Sequence, residues 1–128
     1  KGIILKPNMI LAGNKSENKI SKDEVSSKTL ECLKKSVPNE VPGIAFLSGG
    51  QSEIEASKNL NAINKINDTN FLITFSYGRG LQASALKEFG KNQKNLKGIQ
   101  EAFDHRARMN GLSSKGEWSE NLETEPAA

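Results

Sequence analysis

Ile3-Ile4-Leu5-Lys6-Pro7-Asn8-Met9 sets three branched apolar residues directly before a lysine and a proline. Such a triplet suits a strand buried on both faces, as in a parallel sheet. Pro7 has no N–H to give to a ladder, so the strand stops near Lys6. Lys6 then stands at the carboxyl end of a buried strand, where an unpaired ammonium is costly. A rim lysine that snorkels to solvent satisfies this stretch as well as a functional lysine does.

Two further stretches share the pattern of apolar strand followed by loop. Ile44-Ala45-Phe46-Leu47 runs into Ser48-Gly49-Gly50, and Phe71-Leu72-Ile73-Thr74-Phe75 runs into Ser76-Tyr77-Gly78-Arg79-Gly80. Between the strands lie helical signals. Ser21 and Glu24 have capping-box spacing, with Val25, Thr29, Cys32 and Leu33 on one face until Val37-Pro38. Ser52 and Glu55 repeat the box, with Ala56, Leu60 and Ile63 facing inward. Leu81 to Phe89 predicts a short helix stopped by Gly90. A last helix is expected over about 92–110, with Leu96, Ile99, Phe103 and Ala107 inward and Gly111 at its end. Cys32 is expected to be packed and His105 to lie on a solvated face. Residues 112–128 are expected as a mobile tail, anchored only by Trp118.

Strands alternating with amphipathic helices predict an α/β fold of parallel β/α units with right-handed crossovers. The carboxyl ends of the three strands then share one face. That face collects Lys6, Ser48-Gly49-Gly50 and Ser76 to Arg79.

The composition narrows the function classes. The chain has 128 residues, 35% hydrophobic and 26% charged, and no apolar run approaches the roughly 20 residues of a membrane span. Lys1-Gly2 and the short block after it are too short for a signal peptide. The net charge of +3 is 18 basic minus 15 acidic side chains. Lysines alternate with acidic and amide residues without clustering, which argues against a nucleic-acid footprint. One cysteine permits no internal disulfide and, with one histidine, no zinc site of the Cys/His kind.

The shared face suggests a chemistry. Glycines between a strand and a helix start let a backbone approach a ligand, and free N–H groups there favour an anion. Arg79 offers a fork of donors that matches a phosphate. A plain βα turn and a surface ion pair are the alternatives for each loop taken singly. In (β/α)₈ barrels a phosphate commonly sits between the loops after strands 7 and 8. A phosphate site beside a strand-end lysine suggests a sugar phosphate and an amine nucleophile. An imine forms only from the neutral amine, a form that burial and a nearby cation both favour.

These segments resemble the carboxyl-terminal part of class I fructose-bisphosphate aldolases. The likeness lies in Leu5-Lys6-Pro7-Asn8-Met9, Val41-Pro42-Gly43-Ile44, 46–53, 59–64, 74–79 and 81–86, in the family's order, and extends from residue 3 to about 116. The resemblance implies strands 6 to 8 of a (β/α)₈ TIM barrel over residues 1–111. It implies Lys6 as the Schiff-base lysine, and a substrate phosphate held by Ser48, Gly49, Gly50, Ser76, Gly78 and Arg79. It also implies reversible cleavage of fructose 1,6-bisphosphate to dihydroxyacetone phosphate and glyceraldehyde 3-phosphate, without a metal or other cofactor. The family is a cytoplasmic, glycolytic homotetramer with sugar phosphates as ligands and cytoskeletal proteins among its partners; nucleic acid and membrane are not among them.

Gly80 stands where the family usually has alanine, a change expected to loosen the helix start slightly. Strands 1 to 5, with their acid–base residues, are not in the chain, and Pro126-Ala127-Ala128 replaces the family's aromatic terminus. The chain is therefore expected to be an incomplete piece of an aldolase, inactive alone. The competing expectations are another Schiff-base aldolase barrel and a non-catalytic phosphate-binding or scaffolding module of this length.

Overall fold

Ser21 and Ser52 each turn extended chain into helix, and the sheet is laid out around them. The computed structural model describes residues 2–124. The elements are β1 (Ile4–Leu5), α1 (Lys22–Ser36), β2 (Gly43–Phe46), α2 (Glu53–Ile66), β3 (Leu72–Phe75), α3 (Arg79–Lys91), α4 (Leu96–Ser113) and a 3-10 turn, Glu120–Glu123. Ser21 Oγ accepts from Glu24 N–H at the start of α1. At α2 the box is reciprocal: Glu55 N–H donates to Ser52 Oγ, and Ser52 N–H donates to the Glu55 carboxylate. Those hydrogen bonds, first the one from the Ser52 backbone, hold the Glu55 carboxyl below its usual range.

The strands form one parallel sheet in the order β1-β2-β3. Ile4 pairs with Gly43 and Gly43 with Leu72; Leu5 pairs with Ile44 and Ile44 with Ile73. Side chains alternate, so Ile44, Phe46 and Ile73 enter the core with Val25, Leu30, Leu33, Ala56, Leu60 and Ile63. The residues of alternate parity stay outside it: Ile4 is 68% and Leu72 77% exposed. A shallow trough of about 270 Å³ runs along Ile4, Pro42, Gly43, Ile44, Leu72 and Thr74.

Several expectations change. Ile3, Ile4 and Leu5 are exposed and not buried on both faces, because β1 has a neighbouring strand on one side only. Cys32 is exposed, with Leu30 and Leu33 taking the inward positions around it. Gly90 does not stop α3, which continues to Lys91. The buried face of α4 is Arg106, Met109, Asn110 and Ser113, while Leu96 and Phe103 stay exposed. That helix runs through Gly111 to Ser113.

The segment expected as a mobile tail is packed through Glu123. Trp118 is buried, and its backbone N–H donates to Asn61 Oδ1 of α2 at 3.0 Å. Glu123 receives a two-pronged bond from Arg106, at 3.0 and 2.8 Å, and a third from Trp118 Nε1 at 2.7 Å. The terminal Pro126-Ala127-Ala128 lies outside the described residues. Among those described, no helix is long and apolar enough to cross a membrane.

Candidate active site

The sheet register brings the three strand ends side by side. Leu47 N–H donates to Pro7 O at 2.9 Å, and Ser76 N–H donates to Phe46 O at 2.8 Å. Those two bonds continue the parallel ladder past its last paired residues. Lys6 therefore leaves β1 beside the end of β2, and Ser76 leaves β3 beside it on the other flank. Lys6 is exposed, Ser76 half-buried and Ser48 buried.

The loop after β2 is gripped from both sides. Gly49 has φ +60° and Gly50 φ +84°, backbone that side chains rarely adopt. A Cβ on Gly49 would lie 2.5 Å from Asn8 Oδ1, so the loop touches the segment just beyond Lys6. On the other side a Cβ on Gly80 would lie 2.7 Å from Ser48 Cβ. Below, Gln51 Nε2 donates to Ser48 O at 2.9 Å, and Asn59 Nδ2 donates to Gln51 Oε1 at 2.7 Å. Next to this loop lies a cleft of about 340 Å³, with Leu11, Lys19, Gly49, Gly50, Gln51 and Asn59 in its wall.

The loop after β3 is fixed by what it buries. Tyr77 is packed against Phe75, ring centroids 5.4 Å apart, and its hydroxyl donates to Ala56 O at 3.0 Å. Burial pushes that phenol well above its usual range, so it stays a donor. Gly78 caps α3, and Arg79 is its first residue, exposed. Ser84 in α3 donates its N–H to Glu53 Oε1 at 3.0 Å and its hydroxyl to Glu53 Oε2, tying α3 to the start of α2.

All seven residues singled out in the sequence thus lie at one end of the sheet: Lys6 on the first strand end, Ser48, Gly49 and Gly50 on the second, Ser76, Gly78 and Arg79 on the third. Backbone donors, two hydroxyls, a guanidinium and an amine collect there, a set suited to an anion next to a nucleophile. Asn8, Gln51, Asn59, Glu53 and Gly80 support them. The first four lie in the segments that carry the family likeness, but their contacts depend on tertiary distances that no motif shows.

A family model described as class I fructose-bisphosphate aldolase, glycolytic, matches residues 1–128. The muscle-type aldolase of Lethenteron camtschaticum is 49% identical over 119 residues, which is 92% of this chain and 33% of that protein. Chloroplastic aldolase 2 of Pisum sativum is 46% identical over 127 residues, 99% of this chain and 36% of that one. Fructose-bisphosphate aldolase from Plasmodium falciparum, solved in a ternary co-crystal with TRAP and a small-molecule inhibitor, superposes with a TM-score of 0.86 at 42% identity. That match covers 91% of this chain and 33% of the solved one. The chain spans about a third of the length of the curated relatives it matches. Over that third, from the strand that leads into Lys6 to the helix that carries Arg106, it belongs to the class I fructose-bisphosphate aldolases.

Proposed function

We propose that this chain supplies the imine-forming and phosphate-binding part of a class I fructose-bisphosphate aldolase. In this reading β1, β2 and β3 are strands 6, 7 and 8 of a (β/α)₈ barrel, and Lys6 projects from the end of the first. Lys6 Nζ attacks the ketone carbon of the sugar phosphate and water leaves, giving a protonated imine. The C–C bond one carbon further along then breaks. Its electron pair moves into the imine as an enamine, and the released fragment departs as an aldehyde as the hydroxyl on its end carbon gives its proton to a base. Protonation and hydrolysis of the enamine return dihydroxyacetone phosphate and free the amine. Ser48, Gly49 and Gly50 hold a substrate phosphate largely through backbone N–H groups, and Ser76, Gly78 and Arg79 close the other side. The observation that carries this is the alignment of Lys6 with both candidate phosphate loops at one sheet end, stitched by the Leu47–Pro7 and Ser76–Phe46 hydrogen bonds.

Cytoplasmic location, homotetramer formation and binding of protein partners, as the Plasmodium falciparum relative does with TRAP, are proposed on family membership alone. The test uses the protein that carries this sequence at its natural length. Borohydride reduction in the presence of dihydroxyacetone phosphate should fix one triose phosphate on the peptide containing Lys6, and Lys6→Arg should abolish it. Trapping on another lysine, or none, would overturn the assignment.

A further inference from the structure

We propose that a basic pocket between α1, α2 and the segment after α4 binds a small free oxyanion of the inorganic phosphate class, away from the strand-end face. The pocket measures about 160 Å³ and shares no residue with the seven candidates above. Lys22, Lys58 and Lys65 line it, together with Asp23, Asn61 and Trp118. Lysines scattered along the sequence thus meet in one place, three cations against one carboxylate. Pockets that enclose a whole small molecule run to about 300–1,000 Å³, so this one has room for a single anionic group.

Two observations point to a ligand. Asn61 is 5% exposed, and its Oδ1 accepts the backbone N–H of Trp118 at 3.0 Å. That bond fixes which way the amide faces and leaves its NH2 end as a spare donor. Arg106 Nε and Asn110 Nδ2 are sealed in without a partner; the Asn61 NH2 also has none among the described residues, but it stays open to the pocket. A spare donor among cations suits an oxyanion. The lysines are the second observation. Lys28, Lys34, Lys35, Lys91 and Lys97 each pair with a carboxylate. Among the described residues Lys22, Lys58 and Lys65 make no hydrogen bond or ion pair, although Asp23 shares their pocket. The charge of Lys58 is felt by Glu55, but that carboxylate is taken up by Ser52. Lys65 packs under the turn at Gly116, where a Cβ would lie 3.4 Å from Lys65 Cγ. Three like charges around one small pocket repel one another, and an anion between them relieves that repulsion.

The experiment follows amide exchange over 58–66 and 115–118 in the natural-length protein as inorganic phosphate replaces chloride at constant ionic strength. Protection should rise saturably, because the occupant ties α1 and α2 to the segment that carries Trp118. Lys58→Gln and Lys65→Gln should each raise the phosphate concentration at half-effect by about tenfold, the scale of one charge-assisted hydrogen bond. Lys58→Arg keeps the charge and should keep the effect. Arg79→Ala disables the phosphate site proposed at the strand ends and should leave the effect in place, so the outcome does not depend on the aldolase reading. No phosphate effect beyond that of chloride, or one unchanged by the glutamine variants, would overturn the proposal. An effect lost with Arg79→Ala would overturn it too, since it would then come from the strand-end face. If Lys58→Gln, the half-buried one, disturbs the fold, Lys22→Gln and Lys65→Gln decide by the same criterion, both side chains being exposed.

Discussion

Gly49 and Gly50 are adjacent, both left-handed, and differently placed. A Cβ on Gly49 would meet Asn8 Oδ1 at 2.5 Å and Cγ at 3.2 Å, whereas one on Gly50 would meet nothing within 4 Å. Left-handed backbone alone costs a side chain about 1–2 kcal/mol. Gly50→Ala should therefore lose about that much stability in urea unfolding. Gly49→Ala should lose the same plus whatever it takes to displace the Asn8 amide, a short flexible side chain. The sharper difference should be in phosphate affinity, because only Gly49→Ala pushes on the segment that follows Lys6. Equal effects of the two variants on binding would show that backbone strain, not crowding against Asn8, governs this loop. The seven candidate residues were legible in the sequence because each follows an apolar strand, and strand ends of parallel β/α units share a face. The grip of Asn8 and Gly80 on the middle loop was not legible, since it depends on separations of a few tenths of an ångström between residues far apart in the chain.

Among the elements, the strands and the first two helices announced themselves through apolar runs and Ser-x-x-Glu boxes. The last helix misled. Its apolar stripe, Leu96 to Ala107, points to the core by periodicity, yet the buried face is Arg106, Met109, Asn110 and Ser113, polar apart from Met109. Arg106 donates to Ser57 Oγ at 3.1 Å, and Ser57 donates to Asn110 Oδ1 at 2.6 Å. Periodicity scores apolar residues and has no weight for a buried guanidinium whose two terminal nitrogens are held by a carboxylate. Glu123 completes this network. Burial raises the Glu123 carboxyl, but hydrogen bonds from Arg106 and Trp118 and the charge of Arg106 outweigh it, so the net shift is downward. A carboxyl depressed in the folded state adds stability above the ordinary glutamate range of about 4.3 and loses it as pH falls through the folded value. The charged groups facing it are Arg106 and, at 3.5 Å, His105 Nε2 when protonated. Protection of the amides over 117–124, measured against the intrinsic exchange rate at each pH, should therefore fall as the pH drops below the ordinary glutamate range. Glu123→Gln should show the lower protection already at neutral pH and lose that pH dependence. Arg106→Leu, which strands a half-enclosed carboxylate, should cost about 3 kcal/mol. A pH profile unchanged by Glu123→Gln would remove Glu123 as the clamp.

For the molecule as a whole, the decisive fact is how much apolar surface the three-stranded sheet leaves open. Among the described residues the sheet has free edges at β1 and β3, where unpaired backbone groups can template another strand. Beside those edges Ile3 is 63%, Ile4 68% and Leu72 77% exposed. On the helical side Leu86, Phe89, Leu96 and Phe103 are exposed as well. Scattered exposed apolar residues are ordinary, but a continuous apolar sheet face with open edges is not. A barrel removes both defects by closing the sheet, and closure takes roughly 250 residues, about twice this chain. The polypeptide of residues 1–128 produced alone should therefore associate at micromolar concentration, bind a dye specific for apolar surface, and unfold over a broad range of urea. It should show no aldol cleavage even with Lys6, Ser48 and Arg79 intact, because an open three-stranded sheet does not hold the amine and the phosphate loops in one fixed geometry. Size-exclusion chromatography, dye binding and an aldol-cleavage assay on one preparation test the three parts together. A monomer with a single sharp unfolding transition and no dye binding would mean that the open face is satisfied by side-chain packing within these residues. Barrel closure would then be a requirement of catalysis alone and not of folding.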